Sequence, residues 1–396
     1  MKKFLIAVVF PLLILSGCQS HSTHPFYTPS GVSYSKAYTT FDEYVQQSRK
    51  MLAEHRYFLT SHHADEIDAN APFEVQPEHS KDVTKGVLLI HGLGDSPFSF
   101  VDIAQSLAHE GFLVRTVLLP GHGTRPADMV DVDYREWKQL VEQQVALLKK
   151  DVDDVYLGGF STGGNLAYAY SVDDPDIKGL MLFAPGFKSN EPLAFMTPAL
   201  SRVKNWVTSR DPGNFTNYAR YSDMPVNGFA QYYKTSRMAM HQLNQATFDR
   251  PVFMVLTEHD SVLETAWIKE MFKTRFTHPN NHLIWYGSAK SSIDGQIRTI
   301  QSYMPEWRIR NMSHMGILFS PNNPYYGVNG TERLCRNQEE ASEADRAACR
   351  AGKPVWYSAW GSHEGKGFHA RLTFNPAYDV MIKDLLETFP SKDRES

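Results

Sequence analysis

The sequence has few cysteines, little net charge and no apolar run long enough to cross a membrane. Among 396 residues there are three cysteines, and the formal net charge is −4 at pH 7. So small a charge gives no reason to expect nucleic acid as a partner. No Cys or His cluster has the spacing of a metal site, so we expect neither a metal nor a cofactor. Hydrophobic residues make up 42% of the chain, which is enough for a sizeable core.

The amino terminus has the pattern of a secretory signal. Two lysines precede an apolar run from Phe4 to Leu15, which is shorter than the ~20 residues that span a bilayer. At the end of the apolar run lie the four residues Leu15-Ser16-Gly17-Cys18. These four residues resemble a bacterial lipobox. We therefore predict a lipoprotein signal peptide over 1–17 and a lipidated Cys18 that holds the protein at a membrane. The alternative is a plain secretory peptide that ends near a cysteine.

Two features outside the signal agree with export. Gln19 in place of aspartate resembles the sorting pattern for the outer membrane of Gram-negative bacteria, so we expect a lipid-anchored protein of the bacterial cell envelope. Cys335 and Cys349 remain as a pair that flanks a charged, helix-like segment. In an exported chain such a pair can form a disulfide, and the alternative is two reduced thiols.

The chain divides into segments of different composition. Residues 18–40 are rich in Ser, Thr, Pro and His and read as a tether. Residues 41–82 form an N-terminal helical extension with an amphipathic pattern from Phe41 to Leu59. Continuous apolar runs then alternate with helical patterns at Tyr134–Lys150 and Asn165–Ser171, which favours a parallel α/β sheet. These runs lie at 83–92, 112–123, 154–159, 177–186 and 251–260.

Two intervals interrupt this α/β core, which we place at 83–187 and 251–396. Residues 188–250 are an aromatic-rich insertion with its own helices, longer than a loop should be. Residues 320–372 contain the cysteine pair and read as an irregular excursion before a final helix at Pro376–Phe389. Between them, "HLIWYG" and "EWRIRN" both have strand patterns, and which of them is the last central strand is open.

Ser161 is the candidate nucleophile. It lies in Gly159-Phe160-Ser161-Thr162-Gly163, between an apolar strand and a helical pattern. A G-x-S-x-G pentapeptide in this strand–turn–helix context lifts its serine above the sheet at a helix amino end, where a developing oxyanion is stabilised. The pentapeptide alone is common, so the partners of the serine decide its interpretation.

A catalytic serine needs a base and a group that orients the base. For a serine in this strand–turn–helix motif, the expected chain order is the serine, then an acidic residue, then the histidine that acts as the base. Asp260 follows a buried strand at its carboxyl end, with Glu258 as the main rival and a helix cap as the alternative role. His314 follows a strand-like segment and is the candidate base. The other later histidines come too soon after the acid or lie in the excursion: His278, His282, His363 and His369.

The oxyanion needs two backbone donors. One is the amide of Thr162, which follows the nucleophile. The other is expected from the loop "HGLGDS" after the first core strand, where Leu93 lies between two glycines. His91 in this loop precedes the acid and is therefore interpreted as a structural residue.

Five motifs follow one another along the chain: "LLIHGLGDSPFSF", "LPGHG", "GFSTGGNLA", "TEHDSV" and "SHMGI". Together they resemble the α/β-hydrolase superfamily, in particular its monoacylglycerol lipase and carboxylesterase branch and the serine aminopeptidases grouped with it. The resemblance covers about 83–320 and the last helix. It implies an α/β-hydrolase fold, a mostly parallel central sheet flanked by helices, with 188–250 as a cap over an acyl pocket. The excursion at 320–372 departs from that pattern.

The expected function is hydrolysis of acyl esters through an acyl-enzyme on Ser161, with no cofactor. Lipid-derived esters such as monoacylglycerol or lysophospholipid fit an apolar cap beside a membrane. Amide hydrolysis by a peptidase or aminopeptidase with the same triad is the enzymatic alternative. A non-catalytic envelope lipoprotein on the same fold is the third reading, although such a protein would usually lack a triad member. The protein partners and the oligomeric state stay open.

Overall fold

The computed structural model describes residues 24–34, 37–77, 83–207, 215–337, 341–362 and 367–390. The predicted signal peptide, the lipidation of Cys18 and the identity of His363 as a rival base lie outside these residues. Within them, no helix combines the length and the apolar composition needed to cross a membrane.

The apolar runs of the sequence form the centre of a nine-stranded sheet with the order β1-β3-β2-β4-β5-β6-β7-β9-β8. The two outermost strands, β1 and β8, are antiparallel to their neighbours, and the other pairs are parallel. Every residue of β2, β3, β5 and β6 is buried, because helices cover both faces of the sheet. The strands are β1 (Glu74–Val75), β2 (Lys85–Ile90), β3 (Phe112–Val117), β4 (Asp154–Phe160), β5 (Gly179–Phe183), β6 (Val252–Thr257), β7 (His282–Gly287), β8 (Ser292–Asp294) and β9 (Ile297–Gln301). The expected mostly parallel α/β sheet is confirmed.

Helices follow most strands, and several begin at a side-chain cap. The Thr40 hydroxyl accepts from the Glu43 amide at the start of α1, and the Asp133 carboxylate accepts from the Arg135 amide at the start of α4. The helices are α1 (Phe41–His55), α2 (His63–Asn70), α3 (Val101–His109), α4 (Tyr134–Leu148), α5 (Thr162–Asp173), α6 (Thr197–Leu200), α7 (Val226–Gln245), α8 (Thr265–Arg275), α9 (Glu343–Arg350) and α10 (Tyr378–Thr388).

The first predicted helix ends earlier than the pattern indicated. It stops at His55, and Arg56 adopts an extended backbone conformation. The Arg56 guanidinium then turns inward and forms a buried ion pair with Glu66, 2.8 Å away, on α2. A buried charge needs such a partner, and this requirement outweighs the continuing helical pattern.

The described part of the predicted tether, 18–40, packs against the rest of the protein. Phe26 and Tyr27 are 4% and 7% exposed and pack with Phe215 of the 188–250 insertion. The Tyr27 hydroxyl donates a 2.6 Å hydrogen bond to Asp223. The aromatic side chains of this polar segment are therefore buried against the insertion.

The strand pattern of "HLIWYG" corresponds to β7, but the one at "EWRIRN" does not form a strand. Pro305–Trp307 is a short 3₁₀ turn, and Arg308 follows it with a left-handed backbone at φ 54°. The last parallel strand is β9, which the sequence patterns missed. It pairs with β8 in a hairpin that turns at Gly295, where φ is +57°. Asp294 pairs with Ile297, so the two-residue loop is Gly295-Gln296, with glycine at the first central position as in a type II′ turn.

Both predicted insertions contain regular structure. Helices α6 and α7 lie in 188–250, between β5 and β6, and α7 packs against α5. The 320–372 excursion contains α9 and a separate parallel pair, β10 (Trp356–Ser358) with β11 (His369–Arg371). Cys335 and Cys349 are joined in a disulfide within it.

Candidate active site

Ser161 lies at the sharp turn between β4 and α5. Its backbone has φ 52° and ψ −114°, a conformation that costs a non-glycine residue about 1–3 kcal/mol. Hydrogen bonds hold it there. The Ser161 amide donates to the Phe183 carbonyl at 3.0 Å, and its carbonyl accepts from the Gly186 amide at 2.8 Å. The strained turn is thus fixed by the neighbouring strand β5 and presents the serine at the carboxyl end of the sheet.

The glycines of the pentapeptide are required by packing. A Cβ at Gly163 would lie 1.8 Å from the carbonyl oxygen of Ile90, at the end of β2. A Cβ at Gly159 would lie 2.3 Å from the backbone of Gly163. Only glycine lets the start of α5 approach the ends of β2 and β4 this closely.

The candidate base and acid are in direct contact. His314 Nδ1 lies 2.6 Å from Asp260 Oδ2, and both residues are buried. The second oxygen of Asp260 accepts hydrogen bonds from the amides of Val262 and Leu263, at 2.8 and 3.1 Å. An ionised Asp260 favours the tautomer in which His314 Nδ1 carries the proton, which leaves Nε2 free to accept one.

The loop that carries His314 is held on several sides. The Thr257 hydroxyl donates to the Met312 carbonyl at 3.1 Å, and the Ser313 hydroxyl donates to the Leu372 carbonyl at 2.6 Å. The imidazole packs on Phe160, with ring centres 4.8 Å apart. The orientation of the base therefore depends on β6, β4 and the excursion together.

Ser161, His314, Leu93 and Thr162 line one cavity of about 710 Å³. Asp260 lies behind His314 rather than in the cavity wall. No other histidine of the described residues lines this cavity, and Glu258 is exposed and accepts a hydrogen bond from the Ser288 amide. The structure thus brings together the residues selected by chain order and separates them from their described rivals.

The amides assigned to the oxyanion are available. In the part of the chain that the structure describes, neither the Leu93 amide nor the Thr162 amide donates to another backbone group. The adjacent Gly94 has φ +71°, and its amide donates to His122 Nε2 at 3.0 Å. This hydrogen bond fixes the turn that presents the Leu93 amide.

The two histidines under this turn are structural. Nε2 of His91 accepts from the Leu119 amide at 3.1 Å, and the rings of His91 and His122 are 4.8 Å apart. Burial, followed by the nearby His122, lowers the pKa of His91 well below its usual value. Burial lowers the pKa of His122 to about 4. Both rings are neutral at pH 7 and act as hydrogen-bond partners, as the position of His91 in the chain predicted.

The 188–250 insertion covers the cavity with apolar and aromatic side chains. Those that line it are Phe215, Tyr221, Met224, Phe229 and Tyr232. Among the described residues no group of three or more His, Cys, Asp or Glu side chains is placed to hold a metal ion. The site therefore combines a serine, a buried His–Asp pair and two backbone donors beneath an apolar cap.

A family model described as serine aminopeptidase, S33, matches residues 81–289. The chain belongs to this family. The match spans the first core strand, the candidate nucleophile, the cap and the candidate acid. It ends before His314 and the excursion.

Similar proteins include lipolytic enzymes. A thermostable monoacylglycerol lipase of Bacillus sp. (strain H-257) is 32% identical over 106 residues, which are 27% of this chain and 42% of that lipase. The chain thus matches less than half of the length of this relative. Among solved structures, a chain described under LipS and LipT, two metagenome-derived lipolytic enzymes, is 21% identical, with a TM-score of 0.47 over 56% of this chain and 88% of that chain. A monoacylglycerol lipase of Paleococcus ferrophilus is 17% identical, with a TM-score of 0.44 over 60% and 92%.

The charged residues that line the cavity were not found from the sequence, and three of them are central to the site. Asp95 and Arg220 both line the cavity, with Arg220 Nε 3.6 Å from Asp95 Oδ1. Arg371 reaches the same cavity from β11. Asp95 belongs to the quoted "HGLGDS" loop and could have been noticed there. Arg220 and Arg371 had no local signal, because only the tertiary fold brings the insertion and the excursion to the serine.

Proposed function

We propose that this chain is a serine hydrolase of carboxylic esters in which Ser161, His314 and Asp260 form the catalytic triad. The contact between His314 Nδ1 and Asp260 Oδ2, in a cavity wall that also contains Ser161, carries the proposal. A serine hydroxyl is a weak nucleophile until an oriented base removes its proton. Each component needed for that activation is present in one cavity.

The reaction has two halves. Ser161 Oγ attacks the ester carbonyl carbon while His314 Nε2 takes its proton, and the amides of Leu93 and Thr162 hold the oxyanion. His314 then protonates the leaving alcohol, and the acyl group stays on Ser161. A water molecule, deprotonated by His314, attacks this acyl-enzyme in the same way. The carboxylic acid leaves, and Ser161 recovers its proton.

The apolar cap supports an acyl chain as the bound group. Aromatic and thioether side chains of the insertion face the serine across the cavity, and such walls bind hydrocarbon better than polar peptide. The similarity to a monoacylglycerol lipase is consistent with this choice. Monoacylglycerols and lysophospholipids are therefore the substrate types to test first, and amides of amino acids are the alternative.

The test is hydrolysis of aryl esters of increasing acyl length by the mature domain, with aminoacyl amides alongside. We expect ester turnover that Ser161→Ala removes. Ser171→Ala is a matched control, because Ser171 lies on the helix that Ser161 precedes and its hydroxyl donates to the Ala167 carbonyl, away from the cavity wall. Undiminished ester activity in Ser161→Ala would refute the assignment, and turnover of amides alone would replace the esterase by a peptidase.

We also propose that the mature chain begins at a lipidated Cys18 and is anchored in the bacterial envelope. The lipobox-like segment Leu15-Ser16-Gly17-Cys18 supports a lipid anchor as the route to a membrane. Mass spectrometry of the mature amino terminus should show acyl groups on Cys18, and Cys18→Ser should move the protein to the soluble fraction. An unmodified cysteine would contradict the proposal.

A further inference from the structure

The cavity wall contains an excess of positive charge. Five arginines and three carboxylates line it, and four of the arginines belong to the 320–372 excursion. They are Arg333, Arg336, Arg350 and Arg371, joined by Arg220 from the cap. The excursion therefore adds a cationic wall to the otherwise apolar site.

Several of these arginines have partners. Arg350 is ion-paired with Glu343. Arg333 donates to the carbonyl oxygen of Lys353 at 2.9 Å. Arg220 lies 3.6 Å from Asp95. Each of these three arginines thus has a carboxylate or a carbonyl oxygen of the protein as a partner.

Arg371 differs from them. Its Nε is buried without a hydrogen-bond partner, and in the part of the chain described here its guanidinium forms no ion pair. Its backbone is fixed, since its amide donates to the Leu334 carbonyl at 3.0 Å. The guanidinium carbon lies 5.6 Å from the centre of the Trp360 ring. Burying donors of a charged group without acceptors costs several kcal/mol.

Arg371 is close enough to the reacting groups to act on their charges. Burial raises the pKa of Asp95, while the guanidinium groups of Arg220 and Arg371 oppose that rise. Burial, followed by Arg220, lowers the pKa of Arg371 to about 9, so its guanidinium stays charged at pH 7. The carboxylates that act on it are already engaged, Asp95 near Arg220 and Asp260 on His314.

We propose that Arg371, with Arg220 beside it, binds an anionic oxygen group of the ester substrate, a carboxylate or a phosphate, and that the 320–372 excursion makes the enzyme selective for such esters. The inference rests on the proposed esterase function. A guanidinium presents its donors in a planar fork that matches two oxygens of one anion. Such a ligand would occupy the charged side of the cavity, which Arg371 and Arg220 line.

The same wall disfavours the amide alternative. An aminopeptidase substrate brings a free ammonium group to the site, and two neighbouring guanidinium groups would repel it. An anionic ester gains a charge-assisted hydrogen bond at the same place. The arginine pair therefore favours hydrolysis of anionic esters over aminopeptidase activity, because the two kinds of substrate carry opposite charges.

The experiment compares two matched pairs of esters with the oxidised mature protein. In the first pair, the aryl ester of butyric acid and the aryl monoester of succinic acid differ by a carboxylate on the acyl half. In the second, a monoacylglycerol and the corresponding acylglycerol phosphate differ by a phosphate on the alcohol half. We expect at least one charged member to have the higher kcat/KM, and the preferred pair locates the anion on the acyl or the alcohol half.

Substitution of Arg371 tests the assignment. Arg371→Gln should lower the charged-to-neutral ratio of kcat/KM by about tenfold or more, the size of a lost charge-assisted hydrogen bond, and Arg371→Lys should restore part of it. Arg350→Gln, which removes an arginine already paired with Glu343, should change the ratio less. Thermal unfolding shows that each variant is folded. If Arg371→Gln does not fold, the preference of the wild-type enzyme and the Arg371→Lys variant still test the proposal.

Two results would overturn this inference while the esterase function stands: equal kcat/KM within both pairs, or a ratio that Arg371→Gln leaves unchanged. Failure to hydrolyse any member of either pair, charged or neutral, would instead refute the proposed function itself. Preference for the charged esters that disappears with Arg371 supports both.

Discussion

Nδ1 of His314 and Oδ2 of Asp260 are 2.6 Å apart, although 54 residues separate them in the chain. Two backbone amides fix the other oxygen of Asp260. These two hydrogen bonds hold the carboxylate in place, so the loop that follows β6 is one of the supports that orient the His314 ring.

Asp260→Asn should lower kcat for aryl esters by roughly 10⁴-fold, because an amide in this position favours the wrong tautomer of His314. Stopped assays of kcat at neutral pH measure the effect. Glu258→Gln is the matched control, since Glu258 lies two residues away, is exposed and does not line the cavity. A loss in Glu258→Gln comparable with that in Asp260→Asn would contradict the choice of acid.

The central strands and the candidate triad could be predicted because each left a local signal. Strands buried on both faces are continuous apolar runs, and chain order together with the ends of those strands selected Asp260 and His314. The hairpin of β8 and β9 was missed, because an exposed strand at the sheet edge lacks an apolar run. Arg371 could not be assigned at all. Arg371 and Asp95 line the same cavity although they are 276 positions apart in the chain. No pattern in the sequence indicates how the excursion between them folds.

The buried His122 should make the protein less stable in acid. Its pKa is about 4 because of burial, whereas a histidine of the unfolded chain has a pKa near ~6.5. The unfolded state thus binds the extra proton first as the pH falls, so stability decreases from about pH 6.5 to about pH 4. The cost from this group reaches about 3 kcal/mol at pH 4.

His122→Gln should therefore lose less stability than the wild type between pH 7 and pH 4, measured by denaturant unfolding at each pH. The variant is expected to be less stable at pH 7, because the acceptor for the Gly94 amide is altered. The exposed His109 provides the control, and His109→Gln should keep the pH dependence of the wild type. If the free energy of unfolding changes with pH by the same amount in the wild type and in His122→Gln, His122 is not the cause of the loss of stability in acid.

The disulfide should stabilise the excursion. Cys335 and Cys349 are 14 residues apart, and closing a loop of that size is worth about 3 kcal/mol by the chain-entropy relation. A Cys335→Ser/Cys349→Ser double variant should lose about that much free energy of unfolding. Reductant should lower the wild type to the same level and leave the double variant unchanged. An effect of reductant on the double variant would show that another process is responsible.

Glu332 should make the selectivity for anionic esters depend on pH. It lines the cavity, its pKa is raised by burial to about 7, and the Thr216 hydroxyl donates to it at 3.2 Å. Above pH 7 it becomes negative and repels an anionic substrate. The nearby tyrosines that feel its charge stay neutral through this range, since burial raises the pKa of each: Tyr218, Tyr325 and Tyr326.

The measured quantity is the ratio of kcat/KM for the succinate monoester to that for the butyrate ester, in which pH effects on the shared catalytic steps cancel. In the wild type this ratio should fall by about three- to tenfold between pH 6 and pH 8, the effect of one added charge in a partly solvated cavity. Glu332→Gln should keep the ratio constant across the same range. Glu270→Gln, on the exposed face of α8, should behave as the wild type. A ratio that still falls in Glu332→Gln would assign the titration to another group and remove Glu332 from the recognition of the anion.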